Sequence, residues 1–497
     1  MKLLQYSNFA LGALLFAYFL TRLFNLTVLP IFTDESIYIY WAKVIESTHE
    51  QWFISLTDGK PPLLIWLVSI LLTVLPDGWY LVAGRLPAVL AGAVSLVALF
   101  KLSELLFEKK SIAVVAGLLY IVFPFTLLYD RMALFDPLLQ ATLLAATFFA
   151  LKTAKTLQIK YALLWGFSLG LAFLSKPTAL LFLGLLPVGV LLFSFEDLRK
   201  NWRRVLGLTI LALVISEVIN NLQRVSSVYF MAAQKNAQFQ QPIEELFKNP
   251  FVLTIGNMQG FITWIIGYYT VPFLLIGLVG FAVLLAKNFK AGALLIALWI
   301  VPIIALATVG REIFPRYILF TTPYFLIAVA CITVQLYVYA KKSSFVALVL
   351  FGVVLFPLLK MDYYILTNPI KTNFPQTDYD QLVASHPSGY GVDQVYAYIN
   401  NEVEKGEKVT LVTQGTFGLY PYAFMLEYWN NPNVVIVPRW PLDTIDEEIV
   451  SANDTSRLII LLKEHEFIPQ QLPLTLIKKI EKPGGRYPLL LTELDKR

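Results

Sequence analysis

The sequence holds one cysteine, Cys331, and three histidines, His49, His386 and His465. A lone cysteine excludes an intrachain disulfide framework, and so few histidines leave little from which to build a zinc site or a histidine-centred triad. Charge is scarce as well: Asp, Glu, Lys and Arg make up 15% of the chain, against about a quarter in soluble domains. A net charge of +5 over 497 residues, carried by short clusters of Lys and Arg, fits topology signals and not a nucleic-acid surface. No internal repeat and no low-complexity tract stands out.

What is abundant is apolar. Hydrophobic residues make up 57% of the chain, which predicts a polytopic α-helical membrane protein. The first apolar run, 9–29, follows Lys2 and is long enough to span, and no small-residue cleavage site follows it, so it reads as a retained first helix. Further spans are predicted at about 83–107, 112–128, 137–151, 161–174, 178–195 and 205–219, then 265–286, 291–308, 317–339 and 345–359. Together they make roughly eleven. The run 61–75 is apolar but reaches only about 22 Å at 1.5 Å per residue, short of a hydrocarbon core of about 30 Å. It reads as a juxtamembrane helix.

That choice decides the sidedness. With 61–75 outside the count, Lys109-Lys110, Lys152 with Lys155 and Lys160, Arg199 to Arg204, Lys287 with Lys290, and Lys341-Lys342 all share the cytoplasmic side with Lys2, as positive charge should. The opposite face then collects Asp34, Glu35, Lys60, Asp130, Arg131, Asp136, Lys176, Arg311 and Arg316, with a polar loop at 220–250. Function is expected there. Residues 1–360 form the membrane domain, and 361–497 a small extracytoplasmic α/β domain, with helices at 392–403 and 420–429 and strands at 409–413, 434–437, 458–462, 475–479 and 489–492. The Gln414-Gly415-Thr416-Phe417-Gly418 turn lacks the phosphate-loop lysine and the three-glycine spacing, and reads as a plain connection.

The chain is organised around Phe32-Thr33-Asp34-Glu35-Ser36, where the first apolar run ends. Thr33 is a good N-cap, and Ile37, Tyr40, Trp41, Val44 and Ile45 follow at amphipathic spacing. Asp34 and Glu35 either complement the helix dipole or carry chemistry. Glycosyl transfer onto a hydroxyl needs a base, for which a carboxylate suffices, and a lipid-phosphate leaving group needs cations to receive it. The outer face offers both. Lys60 before Pro61-Pro62 is a phosphate ligand or a snorkelling lysine. Asp136 before Pro137 is an N-cap or a positioning acid, and Asp130 and Arg131 are functional or paired with each other. Lys176 sits in a tight turn, while Arg311 and Arg316 either suit phosphate or serve Glu312 and the helix end.

These stretches resemble the GT-C glycosyltransferases of the protein O-mannosyltransferase and aminoarabinose transferase type. The matching features are Asp34-Glu35, Lys60-Pro61-Pro62-Leu63, Arg85-Leu86-Pro87, Tyr129 to Leu138, Ser175-Lys176-Pro177 and Pro315-Arg316-Tyr317, over roughly residues 1–360. The resemblance implies an inverting enzyme that moves a sugar from a polyprenyl-monophosphate donor to a hydroxyl or phosphate of a protein, lipid or glycan acceptor, outside the plasma membrane. Asp34, Glu35 and Asp130 would be catalytic, and Asp136, Tyr129 and Arg131 would position acceptor or sugar. Lys60, Lys176, Arg311, Arg316, Tyr317 and Arg85 would bind the lipid phosphate. No cofactor and no nucleic acid are expected. The lysine motif is preceded by Gly59 where the aminoarabinose enzymes carry an acid, which leaves a divalent metal without support; Lys60 in place of the eukaryotic histidine favours the bacterial and archaeal branch. The competing readings are a polyprenyl-lipid transporter, for which midplane charges and broken helices are expected, and a non-catalytic membrane receptor.

Overall fold

The computed structural model describes residues 2–194, 198–249, 251–340, 344–447, 449, 451 and 455–495. Helices α1 (Lys2–Leu23), α2 (Thr33–Thr48), α3 (Leu63–Val74) and α4 (Tyr80–Phe107) open the chain. Next come α5 (Lys110–Ile121), α6 (Pro124–Tyr129), α7 (Phe135–Thr156), α8 (Ile159–Ser175), α9 (Leu181–Ser194) and α10 (Leu198–Asn220). Then follow α11 (Tyr229–Gln238), α12 (Ile243–Lys248), α13 (Thr254–Tyr269), α14 (Val271–Lys287), α15 (Phe289–Val309), α16 (Thr322–Ala340) and α17 (Ser344–Thr367). Two compact units result. The first holds Met1–Leu26, Gln51–Leu67 and Arg85–Thr367, and the second holds Thr27–Glu50, Val68–Gly84 and Asn368–Arg497. The second unit thus takes in α2 from the N-terminal part of the chain.

The first unit is helical throughout. Among the described residues, six helices are long and apolar enough to cross a membrane: Tyr80–Phe107, Phe135–Thr156, Pro177–Ser194, Lys200–Val225, Phe289–Val309 and Pro315–Tyr339. The pair α13 and α14, bent by 103°, would make a seventh. Shorter apolar helices accompany them, and the difference from the expected spans has a local cause. The run 112–128 is broken because Pro124 has no N–H to give to a continuing helix, so α5 stops after 12 residues and α6 starts on the proline. α3 also has 12 residues, about 18 Å of helix. Close approaches between helices are made by glycine. A Cβ on Gly166 of α8 would stand 2.5 Å from the Ala212 carbonyl oxygen of α10, so only hydrogen at that position lets the two helices meet.

The second unit centres on a mixed sheet of β1 (Val409–Gln414), β2 (Val434–Arg439), β3 (Arg457–Leu462), β4 (Leu474–Ile480) and β5 (Leu489–Leu494), in the order β2-β1-β3-β5-β4. β1 runs parallel to β2 and β3, β5 pairs antiparallel with β3 and β4, and the β4–β5 hairpin is irregular between Leu476 and Lys478. Central β1 is buried at every residue. Pro438 is accommodated because β2 is an edge strand and no ladder bond depends on its missing N–H. Beside α2, the unit contains α18 (Gln376–Tyr379), α19 (Val392–Glu404) and α20 (Leu419–Glu427). Val412, Leu458, Ile460, Leu462, Leu474 and Leu490 form a common core.

Candidate active site

In the second unit, α2 begins one residue earlier than its sequence suggests, with Phe32 as N-cap and Thr33 as the first helical residue. Phenylalanine has no acceptor to offer, so the cap is made from the other side. The fully buried Glu35 turns its Oε2 back to accept the Phe32 N–H at 3.0 Å. Thr33 is drawn outward, its N–H and Oγ1 donating to the Pro387 carbonyl at 3.1 and 3.0 Å. The two neighbouring acids are therefore unlike. Glu35 is committed to its own helix end, whereas Asp34 remains partly exposed.

In the first unit, three cations gather about one carboxylate. Asp136 lies in the first turn of α7, Lys176 caps the end of α8, and Arg316 stands in the 3-10 turn Pro315–Thr321. Lys176 Nζ donates to Asp136 Oδ1 at 2.6 Å, and Arg316 Nε is 3.9 Å from Asp136 Oδ2. Tyr317 forms a wall, its ring centroid 3.8 Å from Lys176 Nζ and 5.6 Å from the Arg316 guanidinium. Burial lowers the Lys176 pKa, Asp136 opposes this, and the charges of Arg316 and Lys60 lower it further. Lys60 is thus felt at the cluster, and its Nζ lies 5.1 Å from the Phe239 ring centroid in the loop after α11. Lys60, Lys176 and Arg316 against Asp136 leave an excess of two positive charges, the electrostatics of a receptor for a dianion.

The other expected residues have different surroundings. Arg131 Nη1 donates to the carbonyls of Thr21, Arg22 and Phe24, and its Nη2 to that of Asn25. It closes the C-terminal end of α1, where four carbonyls lack helical partners. Arg85 donates to the Leu26 carbonyl at 2.8 Å. Asp130, fully buried, meets Arg22 Nε at 3.5 Å and accepts from the hydroxyls of Tyr18 at 3.2 Å and Tyr120 at 3.1 Å. Its partner is Arg22, not its neighbour Arg131. Tyr129 is buried against Phe125. Arg311 is 42% exposed and pairs with Glu245 of α12 at 3.5 Å, where its alternative partner in the sequence was Glu312. Among the described residues, no three of His, Cys, Asp and Glu come together in a metal-holding group.

Arg22, Tyr18 and Tyr120 are the residues that sequence reasoning passed over. Arg22 did carry a signal, being the one charge inside the run 9–29, and intramembrane charges are seldom idle.

The family model for Dolichyl-phosphate-mannose-protein mannosyltransferase matches residues 59–219, a stretch that includes Lys60, Arg85, Asp130, Asp136 and Lys176. No curated protein matches the sequence. Crystal structures of ArnT from Cupriavidus metallidurans, bound to undecaprenyl phosphate and in the apo state, superpose on 98% and 99% of this chain and on 98% of their own, with TM-scores of 0.54 and 0.55 at 12% identity. The chain has the GT-C fold. A second GT-C relative in fold is the Archaeoglobus fulgidus oligosaccharyltransferase tethered with an acceptor peptide, similar over 92% of this chain and 69% of its own, with a TM-score of 0.54 at 12% identity. At such identity the likeness concerns the GT-C fold, and the chemistry rests on the residues above.

Proposed function

We propose that this protein is an inverting glycosyltransferase that takes a sugar from a polyprenyl monophosphate and passes it to an acceptor on the outer face of the plasma membrane. The observation that carries the reading is the group formed by Lys60, Lys176, Arg316 and Asp136, whose net charge suits a phosphate monoester. The fold it shares with a protein crystallised with undecaprenyl phosphate supports the choice of donor.

In the reaction, the acceptor oxygen attacks the anomeric carbon from the face opposite the phosphate. The bond from that carbon to the phosphate oxygen breaks, its electron pair stays on oxygen, and polyprenyl phosphate departs. Lys176 and Arg316 stabilise the added negative charge. Where the acceptor is a hydroxyl, its proton passes to the Asp34 carboxylate, which is the less buried member of the acid pair. Asp136 fixes the two cations, and Tyr317 covers them. Asp130, Arg131 and Arg85 hold the end of α1, and so act through the chain and not on the substrate. Glu35 holds the first turn of α2, Tyr129 packs against Phe125, and Arg311 steadies the 220–250 loop through Glu245.

The test is release of free polyprenyl phosphate by the purified chain in lipid nanodiscs, followed by mass spectrometry over a panel of polyprenyl-phosphate sugars and acceptors. Turnover by wild type is expected, with Arg316→Met lowering kcat/KM for the donor by about 10²-fold or more and Asp34→Asn by about 10²- to 10⁴-fold. Wild-type rates in both variants would remove the proposal.

A further inference from the structure

The sheet of the second unit has a topological switch point that the transfer reaction does not use. Chain order runs from β1 to β2 on one side and then crosses to β3 on the other. Connections that leave in opposite directions part at the carboxyl ends of β1 and β3, where open α/β sheets take their ligands. Gln414 ends β1, Arg439 ends β2, and Lys463 follows the last residue of β3.

The turn after β1 is more than a connection. Gln414 bridges the gap, its Oε1 accepting the N–H groups of Lys463 at 2.9 Å and Glu464 at 3.3 Å, while its Nε2 lies 3.1 Å from His465 Nε2. Gly415 donates to the Arg439 carbonyl at 2.7 Å and has φ +124°, a conformation that favours glycine. A Cβ at that position would stand 3.0 Å from Lys463 Nζ, so glycine also makes room for the ammonium.

The charge at this switch point is unusual for a structural turn. Lys463 Nζ is 5.9 Å from the ring centroid of Trp440, which is 55% exposed. Its carboxylate neighbour is the half-exposed Glu464 at 3.7 Å. A second ammonium, Lys482, is buried behind it and donates to the carbonyls of Ser385 and Ser388 at 3.1 and 2.7 Å, on either side of His386. Burial, and then the Lys463 charge, push the Lys482 pKa down to about 7; burial lowers that of Lys463. An ammonium whose charge bears on a buried neighbour is relieved by an incoming anion. The exposed aromatic face beside them suits the apolar face of a sugar ring.

We propose that this switch point is a binding subsite for an acidic saccharide, its ring on Trp440 and its carboxylate or phosphate on Lys463 in place of Glu464. The same unit places it next to Asp34: a Cβ on Gly418 would lie 3.3 Å from Thr33 Cγ2, and Thr33 is bonded to Pro387, the neighbour of His386. Resting on the transferase reading, the acidic saccharide is part of the acceptor.

Binding is measured on the full chain in nanodiscs by titration calorimetry and saturation-transfer NMR, with glucuronate, glucose 6-phosphate, glucose and inorganic phosphate as probes. Glucuronate or glucose 6-phosphate should bind, and glucose and inorganic phosphate should each bind at least about tenfold more weakly. Lys463→Met and Trp440→Ala should each weaken the charged sugar by about tenfold or more, while Lys463→Arg keeps it and all three variants keep the wild-type melting temperature. No binding of either charged sugar, or undiminished binding by Lys463→Met, would overturn the subsite. Inorganic phosphate binding as tightly as the sugars would overturn its saccharide character. The readout needs no donor, so loss of the transferase reading through absent turnover would leave the binding result standing on its own.

Discussion

Asp34 and Glu35 are adjacent and chemically alike, yet their surroundings differ. The Glu35 carboxylate is spent on the Phe32 N–H, and a cap of this kind contributes about 0.5–2 kcal/mol. Glu35→Gln keeps an oxygen to accept that bond and should retain near wild-type donor turnover, whereas Glu35→Ala should lower stability by about 1 kcal/mol. Thermal unfolding beside the turnover assay checks both, and a Glu35→Gln variant as slow as Asp34→Asn would make the two acids a functional pair. The sequence shows the acid pair and its helix, but not which acid turns inward. That depends on residue 32 lacking a side-chain acceptor, which leaves the helix end to be capped from its third residue. The same limit applies to Asp130 and Arg131, neighbours in sequence whose partners, Arg22 and four carbonyls of residues 21–25, come from the end of α1 and the turn after it.

Between elements, the strands and helices of the second unit were legible because apolar alternation and turn residues mark them locally; the five strands fall on their expected positions. The division of apolar runs into helices was less so, since hydropathy averages over Pro124, and the backbone does not. Helix contacts escape the sequence altogether. Gly166 looks like any glycine in an apolar run, yet it is where α8 meets α10, and α8 ends on Lys176. Gly166→Leu should cost about 1–3 kcal/mol by overpacking and lower the melting temperature of the detergent-solubilised chain. Gly184→Leu, at a glycine with open space around it, serves as the control. Equal melting temperatures for the two would mean that α8 and α10 do not touch there.

For the molecule as a whole, the charge asymmetry of the turns predicts sidedness. Cys331 is buried and alone, so Cys331→Ser gives a background for single-cysteine labelling in intact cells. A membrane-impermeant maleimide should label Glu404→Cys in the second unit and leave Lys109→Cys unlabelled until the cells are opened; the reverse pattern would invert the topology. One further consequence concerns time. The four carbonyls that Arg131 satisfies lie between 106 and 110 residues ahead of it. During synthesis the end of α1 therefore enters the bilayer before its partner exists, and it has to stay hydrated or within the insertion machinery while α2 to α6 are made. α1 is thus made well before the residue that closes its end, and residues 21–25 take their final course only once residue 131 has emerged.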